Sequence, residues 1–266
     1  MGVFKRSLAP ISTEAWEFLD EEASQILKTK LNGRKVVDFV GPEGFDYAAV
    51  NTGRRSKISG KGEEGVSYKL RNVIPLLELK VPFKIKKEEF EALNRGASDV
   101  DTGPLIKAAQ KLADAENKAI FHGLPAANID GIVDSSDHSK LDVSDNSEDL
   151  LPAIITAVQD LMDRCVTGPY TLLICSEFYK EIYRINNKGY PLNRKIKEII
   201  GDNIQLIYGL GTKGIVLSTR GGDFELVVGQ DISLGYEECT SEEVEFYLFE
   251  TFTFRVNTPE AAVILS

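Results

Sequence analysis

Side chains able to catalyse a reaction or hold a metal are few in this sequence, which has two histidines and three cysteines. His122 stands beside Gly123 at the end of a predicted helix, where a cation suits the carbonyl end of the helix dipole. His138 lies in a polar connector, and no cysteine is close to either histidine. There is no His-Glu-x-x-His and no Cys-x-x-Cys pair. The sequence therefore predicts no catalytic residue and no metal site.

Two further features of the sequence could be taken for functional sites. The run Gly209–Gly214 resembles a phosphate loop, but it lacks the Gly-Lys-Ser/Thr ending and a following helix. Residues 215–218 have the pattern of a strand, so a hairpin turn is the better interpretation. Glu250 interrupts an apolar strand face and is either a paired or edge carboxylate or a functional acid. These residues indicate architecture rather than catalysis.

Composition narrows the class of protein. A chain of 266 residues predicts one large or two modest domains, and its net charge of −10 argues against a nucleic-acid binder. No run of about 18 apolar residues predicts a membrane span. The first residues lack the apolar core of a secretory signal, and three cysteines at unrelated spacings are typical of reduced thiols. We expect a cytoplasmic protein.

The strongest pattern is the stretch Glu243–Val256, in which apolar and polar residues alternate over fourteen positions. This period of two predicts a long strand with one buried and one polar face. Short apolar runs punctuated by glycines precede it, so the C-terminal third is predicted to be an antiparallel sheet. The rest of the chain must pack on this sheet or extend from it.

Helices and short strands are predicted before this sheet. Residues 12–31 form an amphipathic helix with Ser12 as its N-cap, followed by a strand over residues 34–39. Residues 104–122 form a helix with a narrow stripe of small residues. After a polar connector at 124–147, a second α/β section is predicted, with helices at 150–164, 176–185 and 192–200 and strands at 170–175, 204–208 and 215–218.

Residues 47–80 have a different character. Strand-like runs flank the polar segment Thr52–Gly65, which contains four glycines. We predict a long hairpin with a polar tip, and such an extension requires a partner chain to become ordered.

Motifs along the whole chain resemble bacterial encapsulin shell proteins, relatives of which carry the label linocin-like bacteriocin. The motifs are Lys5-Arg-Ser, Ala9-Pro10, Trp16, Gly33-Arg-Lys, Asp38, Gly41-Pro42, Tyr47-Ala-Ala, Pro75-Leu-Leu-Glu-Leu, Arg95-Gly96, Gly168-Pro-Tyr-Thr-Leu, Tyr190-Pro-Leu, Arg220-Gly-Gly-Asp-Phe, Gly229-Gln-Asp, Gly235-Tyr-Glu and Glu250-Thr-Phe-Thr-Phe. The resemblance implies an α+β fold, the tailed-bacteriophage major capsid fold of Hong Kong ninety-seven type, with a peripheral lobe, an axial lobe and an extended loop.

The resemblance also implies how the chain divides among these parts. The N-terminal helix and the start of the peripheral lobe take 1–46, the extended loop 47–80, the peripheral lobe with a spine helix 81–129, the axial lobe 130–225 and the C-terminal sheet of the peripheral lobe 226–266.

The function implied is a self-assembling icosahedral nanocompartment shell, of the smallest triangulation class, without catalysis of its own. Its implied cargo is a ferritin-like iron-storage protein or a dye-decolourising peroxidase bound by its C-terminal peptide. No cofactor is expected, because some relatives bind flavin near a Trp after the extended loop and the segment Lys80–Leu93 has none. The alternatives are a phage or prophage major capsid protein and a bacteriocin-like hydrolase.

Two sites follow from the resemblance. The loop before Tyr190-Pro191 would line a five-fold pore, with Ile185, Asn186, Asn187, Lys188, Gly189 and Tyr190 around the opening. A cargo peptide would lie between the N-terminal helix and the peripheral lobe, and its apolar trough and polar anchors would be Leu27, Leu31, Arg34, Val36, Asp38, Ile232 and Leu234. On a strand at 34–39, residues 34, 36 and 38 would share one face. The alternatives are that Leu27, Leu31 and Val36 are ordinary core, that Arg34 and Asp38 form an internal salt bridge, and that residues 185–190 are a plain solvated turn.

Overall fold

The elements below come from a computed structural model that describes residues 2–57, 66–144, 149–183 and 191–266. The helices of these residues are α1 (Thr13–Lys30), α2 (Lys87–Asn94), α3 (Gly103–His122), α4 (Ile132–Ser135), α5 (Leu150–Asp163), α6 (Ser176–Ile182) and α7 (Leu192–Ile200). The strands are β1 (Asp38–Val40), β2 (Ala49–Lys57), β3 (Lys69–Pro75), β4 (Leu77–Lys86), β5 (Tyr170–Ile174), β6 (Ile204–Leu206), β7 (Gly214–Ser218), β8 (Phe224–Val228), β9 (Ser233–Cys239), β10 (Glu243–Val256) and β11 (Ala262–Leu265). No helix of this described part combines the length and apolarity needed to cross a membrane.

The chain forms two compact units, each assembled from separate stretches. The first unit comprises Met1–Leu27, Val40–Leu112 and Val227–Thr253, and the second comprises Lys28–Phe39, Ala113–Leu226 and Phe254–Ser266. The five-part division expected from the sequence stays a prediction.

Strand β10 is the strand of the larger sheet with which β4, β8 and β9 all pair, and its alternating pattern predicted a long strand here. The order is β1-β8-β10-β4, with β9 also paired to β10, and β10 pairs antiparallel with β4 from Glu243 opposite Lys86 to Phe252 opposite Leu77. The predicted polar face is wrong for the middle of the strand, where Tyr247 and Phe249 are buried too. Side chains on both faces of this part of β10 are thus covered, and both of its edges are paired, so that Glu250 is fully buried rather than at an edge.

An aromatic cluster joins α1 and α2 to this sheet. The ring of Phe246 on β10 lies 5.4 Å from Trp16, 5.6 Å from Phe83 and 5.8 Å from Phe90, in edge-on or stacked arrangements that favour aromatic pairs. Helix α1 begins as predicted, because the backbone N–H of Ala15 donates to Ser12 Oγ at 3.2 Å and so caps the first turn.

The second unit contains a four-stranded sheet of order β11-β7-β5-β6. Strand β5 pairs parallel with β6 and antiparallel with β7, and β11 joins the other side of β7. The C-terminal strand thus pairs here and not with β10, a difference from the single C-terminal sheet that was predicted. All four residues of β11 are buried.

Strands β2 and β3 pair only with each other and form a two-stranded sheet. We call these two strands, Ala49–Lys57 and Lys69–Pro75, the ribbon. The ribbon extends farther into the predicted polar tip than expected, because residues 52–57 are strand rather than loop. Residues 58–65 between the two strands lie outside the described part of the chain.

Candidate functional site

The segment predicted to anchor a cargo peptide does not have the predicted conformation. Residues Gly33–Lys35 form a 3-10 helix, and the strand begins only at Asp38. The turn is fixed from helix α3, since the backbone N–H of Gly33 donates to Asn117 Oδ1 at 2.9 Å and Asn117 Nδ2 donates to the carbonyl of Lys30 at 2.8 Å. Residues 34, 36 and 38 therefore do not share the face of one strand, and that prediction is wrong.

Arg34 forms an ion pair with Glu116 of helix α3. Its Nε donates to both carboxylate oxygens, at 3.0 and 2.9 Å, and its Nη2 donates to Oε2 at 2.6 Å. The Glu116 side chain is fully buried and that of Arg34 is 16% exposed. The guanidinium also lies 5.0 Å from the ring centre of Phe39. This geometry holds Arg34 within the fold, with Glu116 as its partner rather than Asp38.

Asp38 lies at a small polar pocket. Its Oδ2 accepts a hydrogen bond of 2.5 Å from the backbone N–H of Gly222. Gly221 and Gly222 have φ of +89° and +85°, a conformation that favours glycine and brings this backbone to the carboxylate. The pocket has a volume of about 120 Å³ and is lined by Lys35, Val36, Val37, Asp38, Ser218, Thr219, Gly221, Asp223 and Phe224. Its size suits one small side chain or a few waters.

The apolar residues predicted for the trough are mostly core. Leu27, Leu31, Val36 and Leu234 are each at most 8% exposed. Ile232, just before β9, is partly exposed, as is Asp38. Leu27, Ile232 and Leu234 belong to the first compact unit, and Leu31, Arg34, Val36 and Asp38 to the second. Their role in peptide binding stays a prediction, with Arg34, Asp38 and Ile232 as the members that are partly exposed.

The predicted pore residues Ile185–Tyr190 lie outside the described residues. Their role remains a prediction from the resemblance.

None of the histidines, cysteines and carboxylates of the described residues forms a cluster able to hold a metal. The ring of His138 is hydrogen bonded through Nε2 to the carbonyl of Glu260 at 2.9 Å. Burial raises the pKa of Cys175, which lowers its thiolate fraction and its reactivity.

The loop Gly209–Gly214 leads into a strand, as predicted, and not into a helix. It does not close a hairpin, however, because β6 and β7 lie on opposite sides of β5. The ring of His122 packs against this loop, since a Cβ added to Gly211 would lie 2.8 Å from that ring. The loop is a structural connection.

The ribbon is the most exposed element of the described chain. Its residues 53–57 and 69–73 are all exposed, and so are residues 66–68 just before β3; the exposed apolar side chains are Val66, Tyr68, Leu70 and Val73, at 47–59%. A two-stranded hairpin with neither face packed is at best marginally stable in water. A surface of this kind indicates a protein partner, and sequence reasoning had already identified this segment from its composition.

Comparisons with known proteins agree over the whole chain. A family described as "Encapsulating protein for peroxidase" matches residues 1–253. The chain is 40% identical to the type 1 encapsulin shell protein of Rhodospirillum rubrum, covering all of this chain and 96% of the relative. It is 39% identical to that of Brevibacterium linens, with full coverage of both, and 36% identical to that of Mycobacterium tuberculosis.

Solved structures show the same similarity in the fold. The chain resembles a virus-like particle from Pyrococcus furiosus with a TM-score of 0.60 and 26% identity, covering 92% of this chain and 98% of the other. The capsid of an empty GTA particle matches with a TM-score of 0.53 at 15% identity, which supports the capsid fold alone.

Proposed function

The chain belongs to the type 1 encapsulin shell protein family, and from that premise we propose that its copies assemble into an icosahedral cage, of the smallest triangulation class, in the bacterial cytoplasm. The alignment with the type 1 encapsulin shell protein of Brevibacterium linens, which covers both chains over their full length, supports this proposal. Its role is structural, in keeping with relatives whose names describe shell proteins.

The exposed ribbon is the main structural support for the proposed assembly. Its strands pair with each other, and beyond the buried Val50 at the base their residues 53–57 and 69–73 are exposed within one copy. Ordering such an extension is favourable when neighbouring copies cover it, since permanent interfaces typically bury about 2,000 Å² or more. A cage of identical subunits supplies these neighbours.

The cage would enclose a cargo enzyme that is bound by its C-terminal peptide. The description of the matching family, which names a peroxidase, favours a dye-decolourising peroxidase over a ferritin-like iron-storage protein. An extended peptide needs an apolar trough and a few polar anchors that fix its register. The polar pocket beside Asp38, within the second unit, can provide one anchor. Ile232, which is partly exposed on the first unit, is a separate candidate for an apolar contact.

Co-expression with a dye-decolourising peroxidase, with and without its C-terminal peptide, tests this function. We expect cages in negative-stain micrographs and peroxidase inside them only when the peptide is present. Asp38→Asn keeps an acceptor for the Gly222 N–H but removes the charge, and Ile232→Ser removes the apolar contact. Each should lower the ratio of peroxidase to shell several-fold while the cages stay intact.

Asp137→Asn is the matched control, because Asp137 is an exposed aspartate of the same compact unit as Asp38. Its peroxidase ratio should equal that of the wild type. If Asp38→Asn and Ile232→Ser also retain that ratio, the peptide binds elsewhere. If the wild type forms no cages, assembly itself is refuted.

A further inference from the structure

The register of the ribbon places like charges directly opposite each other. Arg55 on β2 is opposite Arg71 on β3, and Lys57 is opposite Lys69. Opposite residues of an antiparallel pair lie on the same face, and residues two apart on one strand share that face too. All four cations therefore lie on one face, which we call the cationic face.

The cationic face has no counter-charge in its own strands. β2 and β3 contain five cations, Arg54 included, and no acidic residue, in a chain of net charge −10. Within the described residues, none of the four cations of this face forms an ion pair. Like charges directly opposite each other destabilise a strand pair. The ribbon thus carries a repulsion that an anionic surface would relieve.

A groove of the first compact unit offers such a surface. It has a volume of about 360 Å³ and is lined by Lys86, Lys87, Glu88, Glu91, Glu242 and Glu243, among others. Its carboxylates outnumber its ammonium groups by four to two. We call it the acidic groove.

Part of the acidic groove is already neutralised within one copy. Lys86 pairs with Glu88 at 3.3 Å, and Glu91 pairs with Arg95 at 3.6 Å. Glu242 and Glu243 form no ion pair with the described residues. Glu242 is the last residue of the turn between β9 and β10, and Glu243 is the first residue of β10; their backbone N–H groups donate to Thr240 Oγ1 at 3.3 and 3.0 Å. These two residues place two carboxylates at the rim of the groove.

We propose that the cationic face of the ribbon of one copy docks on the acidic groove of a neighbouring copy. The inference rests on the cage assembly proposed above and adds which surfaces meet. Every copy carries one ribbon and one groove, so the contact is heterologous and repeats from copy to copy until a closed assembly forms. A nucleic acid could also neutralise the cations, but the acidic groove supplies the complementary charge on the same chain.

Charge reversal on the full-length chain tests the contact. Lys57→Glu/Lys69→Glu should reduce the fraction of protein in cages at least ~10-fold, because one unfavourable contact is repeated throughout the assembly. Glu242→Lys/Glu243→Lys should do the same. The chain with all four substitutions should form cages again, since each reversed ribbon meets a reversed groove. Size-exclusion chromatography and negative-stain microscopy give the cage fraction.

Two control pairs separate a specific contact from net charge. Lys107→Glu/Lys111→Glu changes the charge equally on exposed residues of α3 and should leave the cage fraction unchanged. Glu14→Lys/Glu17→Lys, on the exposed face of α1, should not rescue the reversed ribbon. If the reversed ribbon does not fold by circular dichroism, Lys57→Gln/Lys69→Gln replaces it, and its cages should lose the salt dependence expected of the wild type.

Several outcomes would overturn the contact while leaving cage assembly intact. One is that Lys57→Glu/Lys69→Glu gives the same cage yield as the wild type. Another is that Glu14→Lys/Glu17→Lys restores the cages of that variant. A third is that Lys57→Glu/Lys69→Glu leaves the cages intact but removes nucleic acid that co-purifies with the wild type, as measured by the ratio of absorbance at about 260 and 280 nm.

Discussion

Replacing Arg34 by methionine removes one partner of the ion pair with Glu116 and leaves a fully buried carboxylate without its guanidinium. Breaking a buried pair from one side typically costs about 3–5 kcal/mol of folding free energy, because the remaining charge is desolvated and uncompensated. The contact of Arg34 with the Phe39 ring adds about 0.5–1 kcal/mol. We expect Arg34→Met to lower the free energy of unfolding by about 4 kcal/mol.

The double variant Arg34→Met/Glu116→Met is the decisive control. Apolar side chains of similar volume often replace a buried pair without loss of stability, so the double variant should lie within about 1–2 kcal/mol of the wild type. Arg34→Lys keeps the charge but loses the bidentate geometry, and should be intermediate.

Urea unfolding, followed by the fluorescence of the single Trp16, measures these differences. All variants are compared at one protein concentration, because assembly links apparent stability to concentration. The reasoning would be refuted if the free energy of unfolding of Arg34→Met lay within about 1 kcal/mol of the wild type. It would also be refuted if the double variant were no more stable than Arg34→Met.

Two other predictions concern stability. Gly131→Ala should cost about 3 kcal/mol, since the added Cβ would lie 2.6 Å from the His122 backbone nitrogen; Gly2→Ala, with open space around Gly2, should leave the urea midpoint unchanged. Lys80 donates to Glu237 at 2.6 Å and lowers the pKa of that carboxyl from 4.5. The stabilisation by this ion pair is complete above pH 4.5 and is lost as the pH falls through the lowered pKa of Glu237. Because both side chains are about 40% exposed, the pair contributes only a few tenths of a kcal/mol. Lys80→Met should flatten this acid slope of the melting temperature, and an unchanged slope would count against the pair.

Elements whose periodic pattern continues over many residues, or whose first residue is a clear cap, were predictable from the sequence. Helix α3 and strand β10 follow patterns that run for at least fourteen residues, and Ser12 caps α1 as its residue type suggests. The short segment at 34–39 was not predictable, because its turn depends on Asn117, which is distant in sequence. Local alternation over six residues cannot compete with such a tertiary hydrogen bond.

The candidate surfaces depend on information that a single sequence does not contain. Composition indicated an exposed hairpin at 47–80, but the like-charge pairs follow from the register of β2 against β3, which shifts between Asn51 and Arg55. One residue of slip would change which cations share a face. Likewise, the pairing of the buried Glu116 depends on Arg34 of the Gly33–Lys35 turn, which is 82 residues away in sequence.

The division of the chain into interleaved stretches has a consequence for how the subunit can be engineered. Helix α3 passes from one compact unit to the other near Leu112, and strand β10 does so near Thr253. Excising either unit would sever a rigid helix and an interior strand and leave both with unpaired backbone groups. We therefore expect neither unit to be transplanted as a cassette, and expect insertions to be tolerated at exposed turns, where the chain can be lengthened without breaking a shared element.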